Sequence, residues 1–417
     1  MSGSWMYRRA GRPVPLNCRL ATLRTSSERD WVIGVNASVA TAVALGLALV
    51  TTTLAHAFQV ASAAITARRL RREECGNAAL PTLPASTFVL VPIAHDDPCL
   101  PAAIEALFLL EGRRHELVFC LPHPSETENL VAAVAQRHPG VPFRLLVGRT
   151  AFTVNPKLDN LEKALAGPEA EWCCIVDANI IVPPDHLVCL AAAFRSDVAV
   201  VSALPVGTNV EGFWSEVEAA FLNTYQARLQ LTADTINAGF AHGKTMLFRT
   251  ADLQRWGGIV ALSSDVAEDA AITKLAWRDC RRVRLLDSPV AQPLGRRTFG
   301  VVWRRQVRWA QLRRQSFPRL FSLEPISTSL LPAISAGVAA EISGFGFLIG
   351  CLTSLLLWVA VETALATSAG WRRGLRYALA CVVRDGLALG IWLLAWKRHT
   401  YTWRGNRIDM RHLRPPA

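Results

Sequence analysis

The chain has 417 residues, 51% of them hydrophobic and 19% charged, with a formal net charge of +12. So much apolar surface excludes a disordered or low-complexity chain, and its clustering into long runs at 31–65 and 330–396 excludes a wholly soluble one. Five of the 45 basic residues are lysines (Lys157, Lys163, Lys244, Lys274 and Lys397), so arginine supplies nearly all the positive charge. That excess reflects either codon composition or attraction to anionic lipid headgroups and phosphate-bearing substrates. Nucleic acid is the poorer fit, because the clusters Arg68, Arg69, Arg71, Arg72 and Arg372, Arg373, Arg376 flank apolar spans. The ten cysteines form no CxxC pair and no Cys/His cluster, which argues against a zinc site or a disulfide framework and fits a reduced compartment.

In chain order, residues 1–30 read as a basic tail and 31–66 as a transmembrane helix, long enough to cross a hydrocarbon core of about 30 Å. The arginines at 68–72 place the chain beyond them in the cytoplasm by the positive-inside rule. From Phe88 onward short β-rich runs alternate with helical ones. Strands are expected at 88–93, 116–121, 143–147, 172–176 and 198–203, with helices at 102–110, 131–136, 157–166 and 186–194 between them. Such alternation predicts a Rossmann-like α/β domain over 85–297 with a mainly parallel sheet, binding its ligand beyond the carboxyl ends of the strands. Residues 213–231 and 299–316 read as amphipathic helices whose aromatic and cationic side chains suit either a membrane interface or packing on the sheet. An interfacial segment spans 298–325 and C-terminal transmembrane or re-entrant helices fill 326–397. The run from Leu330 to Ala366 is too long for one untilted span and is expected to turn near Ser343–Gly346; Tyr377–Trp396 is another apolar run, and 398–417 a basic tail.

Three constellations carry chemistry. Asp177-Ala178-Asn179 ends a buried strand, where a carboxylate can hold a divalent cation against a diphosphate or merely start a turn. Glu268-Asp269 opens an apolar helical run, as first-turn charges complementing the helix dipole or as the general base of a group transfer. Arg305 and Arg308 share one helix face, and Trp309 adds a flat aromatic surface. A pyrophosphate, an acceptor or only solvent and lipid would meet such a set.

Together and in this order, with Asn155-Pro-Lys-Leu-Asp-Asn-Leu161, Gly243-Lys-Thr-Met-Leu247 and Glu324-Pro-Ile-Ser327, they resemble the ceramide glucosyltransferases, the family 21 glycosyltransferases. The resemblance covers roughly 85–330. It implies a GT-A type fold with transmembrane and interfacial helices, a UDP-sugar donor, a membrane-lipid acceptor (ceramide, diacylglycerol or a hopanoid) and inversion at the anomeric carbon. By the same resemblance Asp177 lies at the metal (Mg or Mn) and donor diphosphate, and Asp269 is the catalytic base. Arg305, Arg308 and Trp309 form the RxxRW set. Lys157 and Asn179 fall on the donor side, and Gly243, Lys244 and Glu268 are acceptor-side candidates. The sequence departs from the family at Glu126, which stands where an aspartate contacts the nucleotide, and this leaves the sugar's identity open. The implied protein is an integral membrane enzyme of a bacterial inner membrane with its catalytic domain facing the cytoplasm. The alternatives are a processive polysaccharide synthase and a catalytically silent lipid- or nucleotide-binding scaffold.

Overall fold

The computed structural model describes residues 26–72, 86–94, 97–112, 114–165, 170–398, 400–403 and 406–409; the tails expected at either end lie largely outside them. Contacts divide the chain at residue 47, within the first helix α1 (Ser26–Leu70), and the packing described is that of residues 48–417.

The α/β part begins with β1 (Thr87–Pro92), α2 (Leu100–Phe108), β2 (His115–Leu121), α3 (Thr127–Arg137), β3 (Phe143–Val147), α4 (Pro156–Leu165), β4 (Trp172–Val176), α5 (His186–Ala192) and β5 (Val198–Ser202). These are the strands and helices the alternation predicts. Next along the chain come β6 (Pro205–Glu211), α6 (Phe213–Ala220), a π-helical stretch (Phe221–Ala227), α7 (Arg228–Thr235), β7 (Thr245–Arg249), α8 (Thr250–Arg255), a 3₁₀ stretch (Gly258–Ser264), α9 (Glu268–Arg278), β8 (Arg282–Leu285) and β9 (Val290–Arg296). The main sheet runs β3-β2-β1-β4-β7-β5-β8. It is parallel except at β7, which is antiparallel to both β4 and β5, while β6 and β9 form a separate parallel pair.

Central strands are apolar on both faces because helices cover both. Side chains alternate across a strand, so Val89 and Val91 join the core under α2, α3 and α5, and Phe88 and Leu90 join the one under α4, the 3₁₀ stretch and α9. At the sheet edge β3 is largely exposed or half-buried. Seven cysteines (Cys99, Cys120, Cys173, Cys174, Cys280, Cys351 and Cys381) are free thiols, and Cys189 is disulfide-bonded.

The remaining chain forms α10 (Phe299–Ser316), α11 (Pro318–Ser322), a 3₁₀ turn (Glu324–Ser327), α12 (Leu330–Ile342), α13 (Phe347–Ser368), α14 (Leu375–Lys397), β10 (Thr400–Trp403) and β11 (Asn406–Asp409). Three helices are long and apolar enough to cross a membrane: Ser38–Leu70 of α1, α13 and α14. The long apolar run does break into two helices. The 13 residues of α12 rise about 20 Å, short of a full span, so α12 suits a re-entrant or interfacial position. It lies hard against α13, since a Cβ on Gly350 would fall 2.3 Å from the Ala336 carbonyl oxygen. Residues 400–403 and 406–409, expected as part of a basic tail, form the antiparallel β10–β11 pair.

Buried ion pairs tie the apolar helices to the α/β part. Arg69 of α1 pairs with Asp234 at 2.6 Å and with Asp287, and donates to the carbonyls of Leu231 and Leu285. Of the four arginines that suggested a headgroup-facing cluster, Arg69 is therefore a core residue, whereas Arg68, Arg71 and Arg72 are exposed. Within α14, Arg384 pairs with Glu362 at 2.8 Å and Asp385 at 2.7 Å and donates to Thr224 of the π-helical stretch at 3.0 Å. Charge inside an apolar helix is costly unless satisfied internally, and each of these groups has such a partner. Of the amphipathic segments, 213–231 meets sheet, with Ala219, Ala220 and Leu222 packed against Leu294 of β9 and Val210 of β6, whereas α10 packs on helices. Val302, Val307 and Ala310 of α10 pack with Val217 of α6 and with Ala380, Ile391 and Ala395 of α14.

Candidate active site

The carboxyl ends of β1 and β4 open on a cleft lined by Pro92, Ile93, Asp97, Lys157, Asp177 and Asn179, among others. Asp177 is the first residue beyond β4. The antiparallel register pairs Val176 with Thr245, so Lys244, one residue before β7, falls beside Asp177; the Asp177 amide donates to the Lys244 carbonyl at 2.8 Å. The Lys244 ammonium donates to Asp177 Oδ2 and to Asn179 Oδ1, each at 2.8 Å. From the first turn of α4, Lys157 reaches Asp177 Oδ1 and Glu268 Oε1, both at 2.7 Å, and the Gly243 carbonyl at 2.6 Å.

The third element is the amino end of α9. Glu268 Oε2 accepts from Asn155 Nδ2 at 2.8 Å. Asp269 accepts from the Gly243 amide at 2.9 Å through Oδ2 and from its neighbour's amide, that of Ala270, at 2.8 Å through Oδ1. Gly243 lets the backbone approach this closely: a Cβ would stand 3.0 Å from Asp269 Oδ2 and 3.1 Å from Glu268 Oε1. One backbone unit therefore carries Asp269 on its amide and Lys157 on its carbonyl, and Lys157 carries Asp177. The two carboxylates that the sequence separates by 92 positions share one hydrogen-bonded assembly.

Their acidities diverge. Burial would raise Asp177, but Lys157 and Lys244 more than reverse this and hold it well below the usual carboxylate range. Asp269 is pushed up to about 7, first by burial and then by the charge of Glu268; Lys157 and the two backbone amides only moderate the rise. Two carboxyl groups driven apart in this way can serve as one fixed anion and one proton acceptor.

His242, which sequence reasoning passed over, belongs to the same cluster. Burial and then Lys244 lower it to about 3, so it is a neutral imidazole. Its Nδ1 faces the Lys244 amide at 3.4 Å, which leaves the proton on Nε2. The only sequence signal was its place immediately before Gly243-Lys244.

Of the other expected residues, Arg305 acts electrostatically on Asp177, Lys244 and His242. Arg305 stacks over Trp309 at 4.4 Å and faces buried Glu218 at 3.2 Å; burial raises Glu218, with Arg305 opposing. Arg308 also acts on Glu218 electrostatically. The RxxRW helix thus has a structural partner that the sequence did not announce. Glu126 is exposed just before α3, beyond the end of β2, outside the lining of the Asp97–Asp177 cleft.

A divalent cation was expected at Asp177. Magnesium and manganese take carboxylate and carbonyl oxygens, yet both Asp177 oxygens and the Asn179 oxygen already accept from ammonium groups. Among the described residues no group of three or more His, Cys, Asp or Glu gathers elsewhere to hold a metal. The donor set as arranged does not fit a metal ion.

A mainly parallel sheet with acidic side chains at the carboxyl ends of its strands, joined to apolar helices, defines a GT-A glycosyltransferase built for a membrane. The chain belongs to glycosyl transferase family 21, which it matches over residues 47–414. It is 24% identical over 342 residues to ceramide glucosyltransferase 1 of Caenorhabditis elegans, covering 79% of this chain and 72% of the relative. With ceramide glucosyltransferase 3 of the same organism it shares 22% over 331 residues, covering 76% and 71%. In fold it is similar to the mannosyltransferase PcManGT of Pyrobaculum calidifontis, solved in complex with GDP-Man and Mn2+. The TM-score is 0.51 at 18% identity, over 85% of this chain and 99% of that one.

Proposed function

We propose that this glycosyltransferase moves a hexose, glucose by its likeness to the nematode enzymes, from a UDP-sugar to the hydroxyl of a membrane lipid, ceramide or diacylglycerol. The observation that supports this most directly is the assembly through Lys157 and Gly243, which joins a fixed anion lining the cleft to a titratable carboxyl. In this reading the donor lies across the ends of β1 and β4, with its diphosphate toward Asp177, Lys157 and Asn179. The lipid hydroxyl approaches from the α9 side. Asp269 takes the hydroxyl proton as the oxygen attacks the anomeric carbon. The bond from that carbon to the diphosphate oxygen breaks with its electron pair leaving on the phosphate, and a single in-line displacement inverts the centre. An acceptor near 7 suits this step, because it is largely ionised at neutral pH and still basic enough to hold the proton.

The acceptor arrives by way of the membrane. The RxxRW helix α10 packs on α14, one of the three apolar helices long enough to span, which supports delivery of lipid to the cleft from the bilayer. Exposed Arg68, Arg71 and Arg72 after α1 favour the cytoplasmic side of a bacterial inner membrane for the catalytic domain. The test is incubation of purified protein with UDP-glucose, UDP-galactose or UDP-glucuronate and either ceramide or diacylglycerol, with the products read by lipid mass spectrometry. A monoglycosylated lipid is expected. A polymer would make the chain a synthase, and no product with any pair would refute the transferase reading of this cleft.

A further inference from the structure

We propose that Lys244 is the cation against which the donor diphosphate is neutralised, so that nucleotide binding by this chain does not depend on a metal ion. The inference rests on the reading that the cleft takes a nucleoside diphosphate.

An ammonium group has three hydrogens to donate. Those of Lys157 all have acceptors: Asp177 Oδ1, Glu268 Oε1 and the Gly243 carbonyl. Lys244 donates to two acceptors, Asp177 Oδ2 and Asn179 Oδ1, and its third hydrogen engages none among the described residues. Both of those acceptors line the cleft. Lys157, although it lines the cleft, is therefore fixed as a strut, whereas Lys244, buried and held by Asp177 and Asn179 of the lining, keeps one donor for the expected diphosphate.

Its position is set by the sheet. The Val176–Thr245 pairing and the Asp177–Lys244 backbone bond hold the two residues side by side, so the charge is in place before substrate arrives, which is what makes electrostatic stabilisation effective. A divalent ion would have to displace one ammonium from Asp177 and then sit beside both. Asn179 completes the argument: its amide oxygen accepts from Lys244 without adding a negative charge that a metal would answer. Asp177, Glu268, Lys157 and Lys244 then balance among themselves, with Asp269 left to titrate. During transfer the bond between the anomeric carbon and the diphosphate oxygen breaks, and its electron pair stays on the phosphate. Lys244 donates a hydrogen bond to that oxygen and keeps its proton, while the acceptor's proton goes to Asp269. No further reagent is needed.

The experiment measures binding of UDP, with GDP in parallel, to the full-length protein in nanodiscs by calorimetry, in EDTA and then in Mn2+. Wild-type affinity for the preferred nucleotide is expected to differ by less than about threefold between the two buffers. Lys244→Met should weaken binding in EDTA by roughly 10- to 100-fold, the range of one charge-assisted hydrogen bond. Mn2+ should restore part of that loss, because Asp177 Oδ2 is then free to ligate. Lys244→Arg, which keeps the charge, should lose less than Lys244→Met. A tenfold or greater weakening of the wild type by EDTA overturns the inference and leaves the proposed activity standing, as does wild-type affinity of Lys244→Met in EDTA. If neither nucleotide binds in either buffer, both readings fall. Should Lys244→Met fail to fold, the wild-type comparison alone decides.

Discussion

Replacing Asp269 with asparagine separates a catalytic from a structural role for this carboxyl. In the wild type its two oxygens accept from two backbone amides, of Gly243 and Ala270. A carboxamide offers one acceptor oxygen and turns an N–H toward the other amide, so one hydrogen bond is lost and two donors face each other. The expected cost is about 1–3 kcal/mol of stability, which still leaves a folded protein able to bind UDP. The catalytic loss is of another order. A positioned general base contributes about 10²–10⁴-fold in rate, and transfer should fall by at least the lower figure.

The wild-type pH profile carries the same signature. With Asp269 near 7, about one molecule in eleven has the free base at pH 6 and about ten in eleven at pH 8, so the rate rises roughly tenfold across that interval. The effect on stability runs the other way. A carboxyl raised in the folded state above its ordinary 3.8 favours folding while protonated, and this contribution is lost as pH rises through about 7. Initial rates of lipid glycosylation from pH 5.5 to 8.5, with UDP affinity measured alongside, provide the test. A flat wild-type profile, or an Asp269→Asn variant turning over within tenfold of wild type, would remove Asp269 from the role of base.

Two other substitutions probe the supports of the site. Gly243→Ala brings a methyl to 3.0 Å from Asp269 Oδ2 and 3.1 Å from Glu268 Oε1, so both carboxylates must give way by a few tenths of an ångström. The transfer rate should drop about tenfold with UDP affinity within about twofold of wild type, and steady-state kinetics with calorimetry would contradict this if both quantities were unchanged. Arg69→Met removes the main cation from buried Asp234 and Asp287, leaving Arg284 beside both and Arg72 3.9 Å from Asp287. A loss of roughly 3 kcal/mol is expected, the low end for a broken buried pair, visible as a Tm several degrees lower in detergent; a wild-type Tm would show that the anchor at the end of α1 is dispensable.

Much of this protein is determined locally and was readable as such. Five strands and the helices between them arise from apolar runs bounded by turn residues, because a central parallel strand must be apolar on both faces. The break in the run from Leu330 onward is set by the length a bilayer can accommodate and by the glycines at 344 and 346, both with positive φ. Asp177 and Asp269 stood out in the sequence as a strand-end and a helix-start carboxylate.

Tertiary structure decided what those carboxylates meet. The reversed strand β7 is a short apolar run with nothing in it to mark its direction, yet its antiparallel register is what carries Lys244 to Asp177 and Gly243 to Asp269. His242 and Lys244 gave no periodic signal, since their role comes from contacts across 40 to 70 positions of chain. Arg69 and Arg384 show the same limit from the other side. By composition Arg69 belonged to a membrane-flanking cluster and Arg384 carried no signal, and only the fold supplies the buried aspartates and glutamate that neutralise them. Periodicity reports which face of an element is apolar, whereas the pairing of charges depends on which elements the fold brings side by side.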